Sequence, residues 1–215
     1  MSFSPIKKEN IYAKLGFNQH EIYKNYKEII FMKKNILVLT GSPRKNGNSD
    51  MMADAFIKGA KSVGHIVNKY ESAFTNISGC RACDTCWSKG VPCSFNDAFN
   101  EKFVPLLEQT NVLVFCMPLY VYGFPANIQA TLEKTYAYLS PQSLRKIKIE
   151  ETALLLCGGD SDIELYNGAI EAYKNISRML KAKDLGSVIA TDIFEKGIIA
   201  DTKYLIQSED LGKKI

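Results

Sequence analysis

The 215 residues are 46% hydrophobic and 23% charged, an ordinary balance for a globular domain with a sizeable core. The formal charge of +4 is uneven: residues 1–34 hold 7 Lys and 3 Glu, so residues 35–215 balance at 20 basic against 20 acidic side chains. That balance argues against a nucleic-acid partner, and no apolar run approaches the roughly 20 residues of a membrane span.

Residues 1–34 are expected to be an N-terminal extension to a domain at 35–215. Asn18 and Glu21 have the spacing of a capping box, with Ile22, Tyr26 and Ile29 on one helical face. The alternatives are an unordered arm, or a chain start at Met32. The stretch Asn35 to Ser49 (NILVLTGSPRKNGNS) follows. Ile36 to Leu39 form a continuous apolar run, as in a strand buried on both faces. After Ser49 the pattern turns helical, with Met52, Phe56, Ile57, Ala60 and Val63. Gly41 and Gly47 let the backbone turn between them, and Asn48 or Ser49 is placed to cap the helix.

A loop that enters a helix N-terminus is an anion site, because free N–H groups and the positive end of the helix dipole face the same spot. Ser42, Asn48 and Ser49 add donors, Arg44 and Lys45 add charge, and no carboxylate falls between Thr40 and Ser49. A phosphate is the expected occupant. The loop has neither the Gly-Lys-Ser/Thr of a Walker loop nor the GxGxxG of dinucleotide folds.

His65 to Tyr70 reads as a second strand, with His65 as a strand-end residue. A long loop at 79–93 then carries Cys80, Cys83, Cys86 and Cys93 in a C-x2-C-x2-C-x6-C pattern. With six cysteines in all and four of them here, the chain suits a reducing cytoplasm and a site better than a disulfide framework. Three thiolates two residues apart suit an iron–sulfur cube, and zinc sites more often pair two separated CxxC knuckles.

Asn96 to Gln109 is predicted helical with Phe99, Phe103, Leu106 and Leu107 on one side, and Pro105 requires a kink or a late start. Asn111 to Cys116 is the third strand, closing in the rigid loop Met117 to Pro125. Ala126 to Leu139 is the next helix, and Thr152 to Cys157 is the fourth strand, ending in Gly158-Gly159-Asp160. Asp162 to Leu180 is a helix with Ile163, Tyr166, Ile170, Tyr173 and Ile176 as its apolar stripe. Leu185 to Thr191 is a shorter fifth strand, and the tail shows no clear pattern.

Strands alternating with helices imply a parallel α/β sheet covered on both faces, and five such strands fit the flavodoxin-like order 2-1-3-4-5 as a three-layer sandwich. Ligands in such sheets bind beyond the C-terminal strand ends where the order reverses. The loops there are GSPR, MPLYVYG and CGGD. An anion loop beside an aromatic one describes FMN.

GSPRKNGNS resembles the FMN-phosphate loop of the flavodoxin-like NAD(P)H-dependent FMN reductases, a family that includes the iron–sulfur flavoproteins. The resemblance covers most of residues 35–200. It implies that Ser42, Arg44, Asn46, Gly47, Asn48 and Ser49 hold the phosphate. It also implies that Pro118, Leu119, Tyr120, Val121, Tyr122 and Gly123 line the flavin ring, with Gly158 and Gly159 on the far side. Met117 stands where the family usually has serine. Glu195-Lys196-Gly197 resembles a late family segment without an assigned role.

The implied activity is hydride transfer from NAD(P)H to FMN and on to an acceptor. The flavin carries the chemistry, so no side-chain acid, base or nucleophile is needed. N–H donors at Gly158 or Gly159 would stabilise the charge gained near N1 and C2 on reduction. The alternative is an electron carrier with FMN and a 4Fe–4S cluster on Cys80, Cys83, Cys86 and Cys93, paired with a ferredoxin-like partner. Trp87 and Asp97 instead resemble relatives that keep this loop without a cluster, as a substrate or dimer surface. The resemblance also implies a homodimer.

Overall fold

A computed structural model describes residues 33–215 except 140 and 142, and the predicted N-terminal helix at Asn18 to Ile29 lies outside them. Residues 34–215 make one compact unit. Its centre is a five-stranded parallel sheet: β1 Asn35–Thr40, β2 Ile66–Glu71, β3 Val112–Pro118, β4 Glu151–Cys157 and β5 Lys183–Ala190, in the spatial order β2-β1-β3-β4-β5. The expected flavodoxin-like order is the observed one.

Period-two alternation divides the apolar strand residues between two cores. Ile36, Val38, Val114, Cys116, Ala153, Leu155 and Cys157 face one way, onto α1 (Asn48–Ser62) and α6 (Lys203–Lys213). Leu37, Leu39, Leu113, Phe115, Leu154 and Leu156 face the other. There they meet α3 (Val104–Leu107), α4 (Ala126–Glu133) and α5 (Asn167–Leu180). A short α2, Thr85–Lys89, lies within the cysteine loop.

Three boundaries differ from the sequence expectation for physical reasons. Pro105 sits in the first turn of α3, where its missing N–H costs nothing, and a π-helical turn at Phe99–Phe103 precedes it. β5 has eight residues rather than being short, and its polar start coincides with a register shift opposite Thr152 to Leu154, with Gly186 at φ +114°. Ile163 lies on a 3₁₀ turn ahead of α5 and is exposed, so the buried stripe runs instead from Tyr166 through Ala169 to Tyr173.

The tail is helical. The face that α6 buries consists of Ser208, Leu211 and Gly212, one apolar residue between two that carry no hydrophobic signal, so no apolar periodicity shows. It is held against α1 by close backbone approach at Gly59 and Gly212. Among the described residues, no helix is long and apolar enough to cross a membrane.

Candidate functional site

Parallel register carries the ends of β1, β3 and β4 to one edge, pairing Thr40 with Cys116 and Pro118 with Cys157. Backbone bonds extend this edge past the strands: Gly41 N–H donates to Cys116 O, and Leu119 N–H to Cys157 O. The loops beyond enclose a cleft of about 290 Å³. Ser42, Arg44, Gly47, Asn48 and Ser49 line one end, and Pro118, Leu119, Tyr120, Gly158 and Gly159 line the other. Among the described residues, no carboxylate lines it.

The phosphate-loop geometry follows from its sequence. Asn46 takes a left-handed φ of +53°, and its N–H donates to Asp50 Oδ2 at 2.8 Å. Gly47 is the N-cap of α1 and supplies no side chain, so the helix start is open to an external anion. Asp50, the one acidic residue of this first turn, is turned to Lys69 at 2.6 Å. Burial alone would raise its carboxyl pKa. Hydrogen bonds from Lys69 and Asn46 outweigh that and hold it below the usual carboxylate range. The Asp50 charge is thereby paired within the chain.

Two groups expected at the ligand already have partners within the chain. Asn48, expected to bind the phosphate, commits its side chain elsewhere. Its Nδ2 donates to Glu195 O at 2.7 Å, and its Oδ1 accepts from Gly197 N–H at 2.8 Å and from Ile199 N–H at 3.4 Å. The Gly158 N–H, expected to face the ring, donates to Ala190 O, and Gly158 O accepts from Ile193 N–H. Of the two glycines, only Gly159 has an N–H without a partner among the described residues.

A side chain is disfavoured at Gly158, where it would meet buried Tyr166, and at Gly159 it would displace the exposed Phe194 ring. A Cβ at Gly158 would fall 2.6 Å from the Tyr166 hydroxyl, and one at Gly159 would fall 2.6 Å from Phe194 Cδ2. This is a wall without side chains, as a flat ring needs.

Not every expected ring residue reaches the cleft. Tyr120 and Gly123 exchange both backbone hydrogen bonds around Val121 and Tyr122, which both have positive φ. That tight turn lifts Val121 (96% exposed) and Tyr122 into solvent, and Val121, Tyr122, Gly123 and Asn46 are absent from the lining. The lining also includes Cys157, Ile193 and Phe194, which nothing local in the sequence marks, and Lys196 from the late segment that had no assigned role. Burial pushes the Cys157 thiol up to about 12, so it enters the cleft as a neutral wall.

The four loop cysteines line a separate small cavity. Cys80 and Cys83 are exposed, while Cys86 and Cys93 pack against the core. The loop reverses at Ala82 and Asp84, both with positive φ. Among the described residues, no three metal-ligating side chains converge on one point. Hydrogen bonding from Thr85 and Ser94 draws the Cys83 thiol down to about 7, which favours the ligating thiolate form. Trp87 packs on Tyr136 with ring centroids 4.4 Å apart and donates to its carbonyl.

The family model for NADPH-dependent FMN reductase matches residues 34–162. An iron–sulfur flavoprotein of Archaeoglobus fulgidus is 30% identical over 100 residues, and one of Methanosarcina thermophila is 24% identical over 97. These matches span 46% and 45% of this chain, and only 44% and 50% of the relatives' own lengths. Among solved structures, an NAD(P)H:quinone oxidoreductase from Methanothermobacter marburgensis has the same fold. Its TM-score is 0.62 at 17% identity, covering 85% of this chain and 96% of the other.

Proposed function

The chain belongs to the NADPH-dependent FMN reductase family, and we propose that it is an FMN-dependent NAD(P)H oxidoreductase with its cofactor in the cleft at the ends of β1, β3 and β4. The observation that carries this reading is the polarity of that cleft. One end offers an open helix start, Ser42, Arg44 and no carboxylate; the other offers Pro118, Leu119, Tyr120 and the bare Gly158–Gly159 wall. That polarity matches a phosphate joined to a flat ring.

FMN, when bound, supplies acceptance of hydride from a pyridine nucleotide and delivery of the electrons to an acceptor. The protein's part is to bind, orient and shield. Ser42, Arg44 and the N–H groups at Asn48 and Ser49 hold the phosphate. The Gly159 N–H remains to face developing negative charge on the ring, a role that Gly158 does not share. Tyr120, Val121, Tyr122 and Phe194 form an apolar rim that a second copy of the chain would cover, so the working unit in this reading is a homodimer.

A second reading has a specific observation in its favour: four thiols line one cavity, and one of them is drawn toward its thiolate. Cys80, Cys83, Cys86 and Cys93 would then hold a 4Fe–4S cluster, and a ferredoxin-like protein would exchange electrons with it. This requires the loop to draw the four sulfurs together. The discriminating experiment is an absorption spectrum of protein purified without oxygen, with iron, sulfide and NAD(P)H oxidation assayed on the same sample. Flavin without iron and with turnover supports the reductase. Flavin with about four irons per chain and slow turnover supports the carrier. A protein that takes up no FMN overturns both.

A further inference from the structure

We propose that Lys196 is the second phosphate-neutralising residue of the cleft and sets its preference for a phosphorylated flavin, with Asn48 as the residue that positions it. The inference rests on the FMN reading above and adds to it a specificity determinant outside the β1–α1 loop.

The geometry runs from α1 outward. Asn48 is the first residue of α1. Its amide grips the chain on both sides of Lys196, taking Glu195 O on one side and Gly197 N–H on the other. The peptide units flanking Lys196 are therefore fixed at the open start of the helix, at the phosphate end of the cleft. Gly197 has φ +86°, a conformation that glycine adopts at little cost, and it turns the following chain back to donate a further N–H from Ile199 to the same Asn48 oxygen. At its other end the loop is fixed to β4: Gly158 N–H donates to Ala190 O, Ile193 N–H to Gly158 O, and Asp192 N–H to Asp160 O. Phe194 there abuts Gly159, on the ring side. The segment from Ile193 to Gly197 thus spans the cleft from ring wall to phosphate end.

The charges follow. Among the described residues, Arg44 and Lys196 are the only cationic residues lining the cleft, and no carboxylate lines it with them. Neither forms an ion pair among the described residues, although Lys45 next to Arg44 is paired with Glu71. Two uncommitted cations at one end of a cleft match the two negative charges of a phosphate monoester better than the one charge that the β1–α1 loop alone would meet. A flavin that lacks the phosphate gains nothing from either.

The test measures binding of FMN and of riboflavin, by quenching of flavin fluorescence, to the wild-type full chain and to Lys196→Gln, Lys196→Arg and Asn48→Ala. Lys196→Gln is expected to weaken FMN by roughly tenfold and to leave riboflavin unchanged. Lys196→Arg is expected to restore most of the loss. Asn48→Ala is expected to weaken FMN to a similar extent, because it releases the loop. The FMN affinity of Lys196→Gln should also fall less steeply with added salt than that of wild type. If wild type and Lys196→Gln bind FMN equally, or if FMN and riboflavin weaken together, this inference fails while the FMN reading stands. If wild type takes up neither flavin, both fail. Lys196 is a loop residue, so a melting temperature matched to wild type keeps the comparison interpretable.

Discussion

Replacing Asp97 with alanine is expected to cost about 3–5 kcal/mol of folding free energy, because it strands a buried ammonium. The Lys134 side chain is 2% exposed and that of Asp97 is 15% exposed. Lys134 donates to Asp97 Oδ2, and Nζ lies 5.7 Å from the Phe99 ring centroid. A ring face does not substitute for a carboxylate at that depth. The carboxylate also accepts from Ser78 N–H at 3.1 Å and from Phe99 N–H at 2.9 Å.

Those two N–H groups flank the cysteine loop, so the same substitution should loosen it. Urea denaturation of wild type, Asp97→Ala, Lys134→Met and the double variant checks the energetics. The double variant should recover most of the loss, since neither charge is then buried alone. Faster reaction of the loop thiols with a disulfide reagent checks the loosening. A single variant within about 1 kcal/mol of wild type would sink the argument.

The pH dependence has a definite sign. Burial by itself would raise the Asp97 carboxyl pKa, but bonding to Lys134, Phe99 N–H and Ser78 N–H holds it below its unfolded value of 3.8. A depressed folded pKa contributes stability that is present above the unfolded value and lost as pH falls through the folded one. The gap between wild type and Asp97→Asn is therefore full at neutral pH and closes in acid.

What was legible in the sequence was whatever had a strong local signature. Ile36 to Leu39 and Asn111 to Cys116 have the continuous apolar run of strands buried on both faces, and the Gly-Ser-Pro-Arg loop between apolar strand and helix has the residues of a turn with open donors. With three further strands alternating with helices, they led to the observed sheet order and pointed to one end of the cleft. The other features depend on partners far along the chain. Nothing near Asn48 says that its amide will hold Glu195 and Gly197, almost 150 positions away. Gly158 likewise gives no local sign that its N–H will pair with Ala190.

The family resemblance implies that Val121 and Tyr122 face the ring, but the two-residue turn between Tyr120 and Gly123 points them outward. The cysteine spacing gave the kind of ligand but not its convergence, which is set by the path of a loop that reverses at Ala82 and Asp84 and by residues far from it. Helix α6 escaped because its buried face uses Ser208 and Gly212. Small residues that bring backbones together carry no hydrophobic period.

That small-residue contact gives the second large effect, a loss of about 3 kcal/mol or more for Gly59→Ala. A Cβ at Gly59 would lie 2.0 Å from Glu209 O, and one at Gly212 would lie 2.3 Å from Phe56 O. Both obstacles are backbone carbonyls, which cannot rotate aside as a side chain would. The two helices must therefore move apart, and the packing of Phe56, Ala60 and Leu211 beneath them opens with them. Gly64→Ala provides the contrast. Its φ is +98° but nothing lies within 4 Å of a Cβ there, so only left-handed strain of about 1–2 kcal/mol is expected.

The effect of Gly59→Ala should also reach the cleft. Helix α6 follows directly from the loop that Asn48 tethers to the start of α1, so displacing α6 from α1 pulls on that tether. Folded Gly59→Ala protein is expected to bind FMN more weakly than wild type, whereas Gly64→Ala is expected to bind it equally. Denaturant titrations and flavin binding on the two variants check this together. Equal stability of Gly59→Ala and wild type would mean that α1 and α6 do not meet at backbone distance.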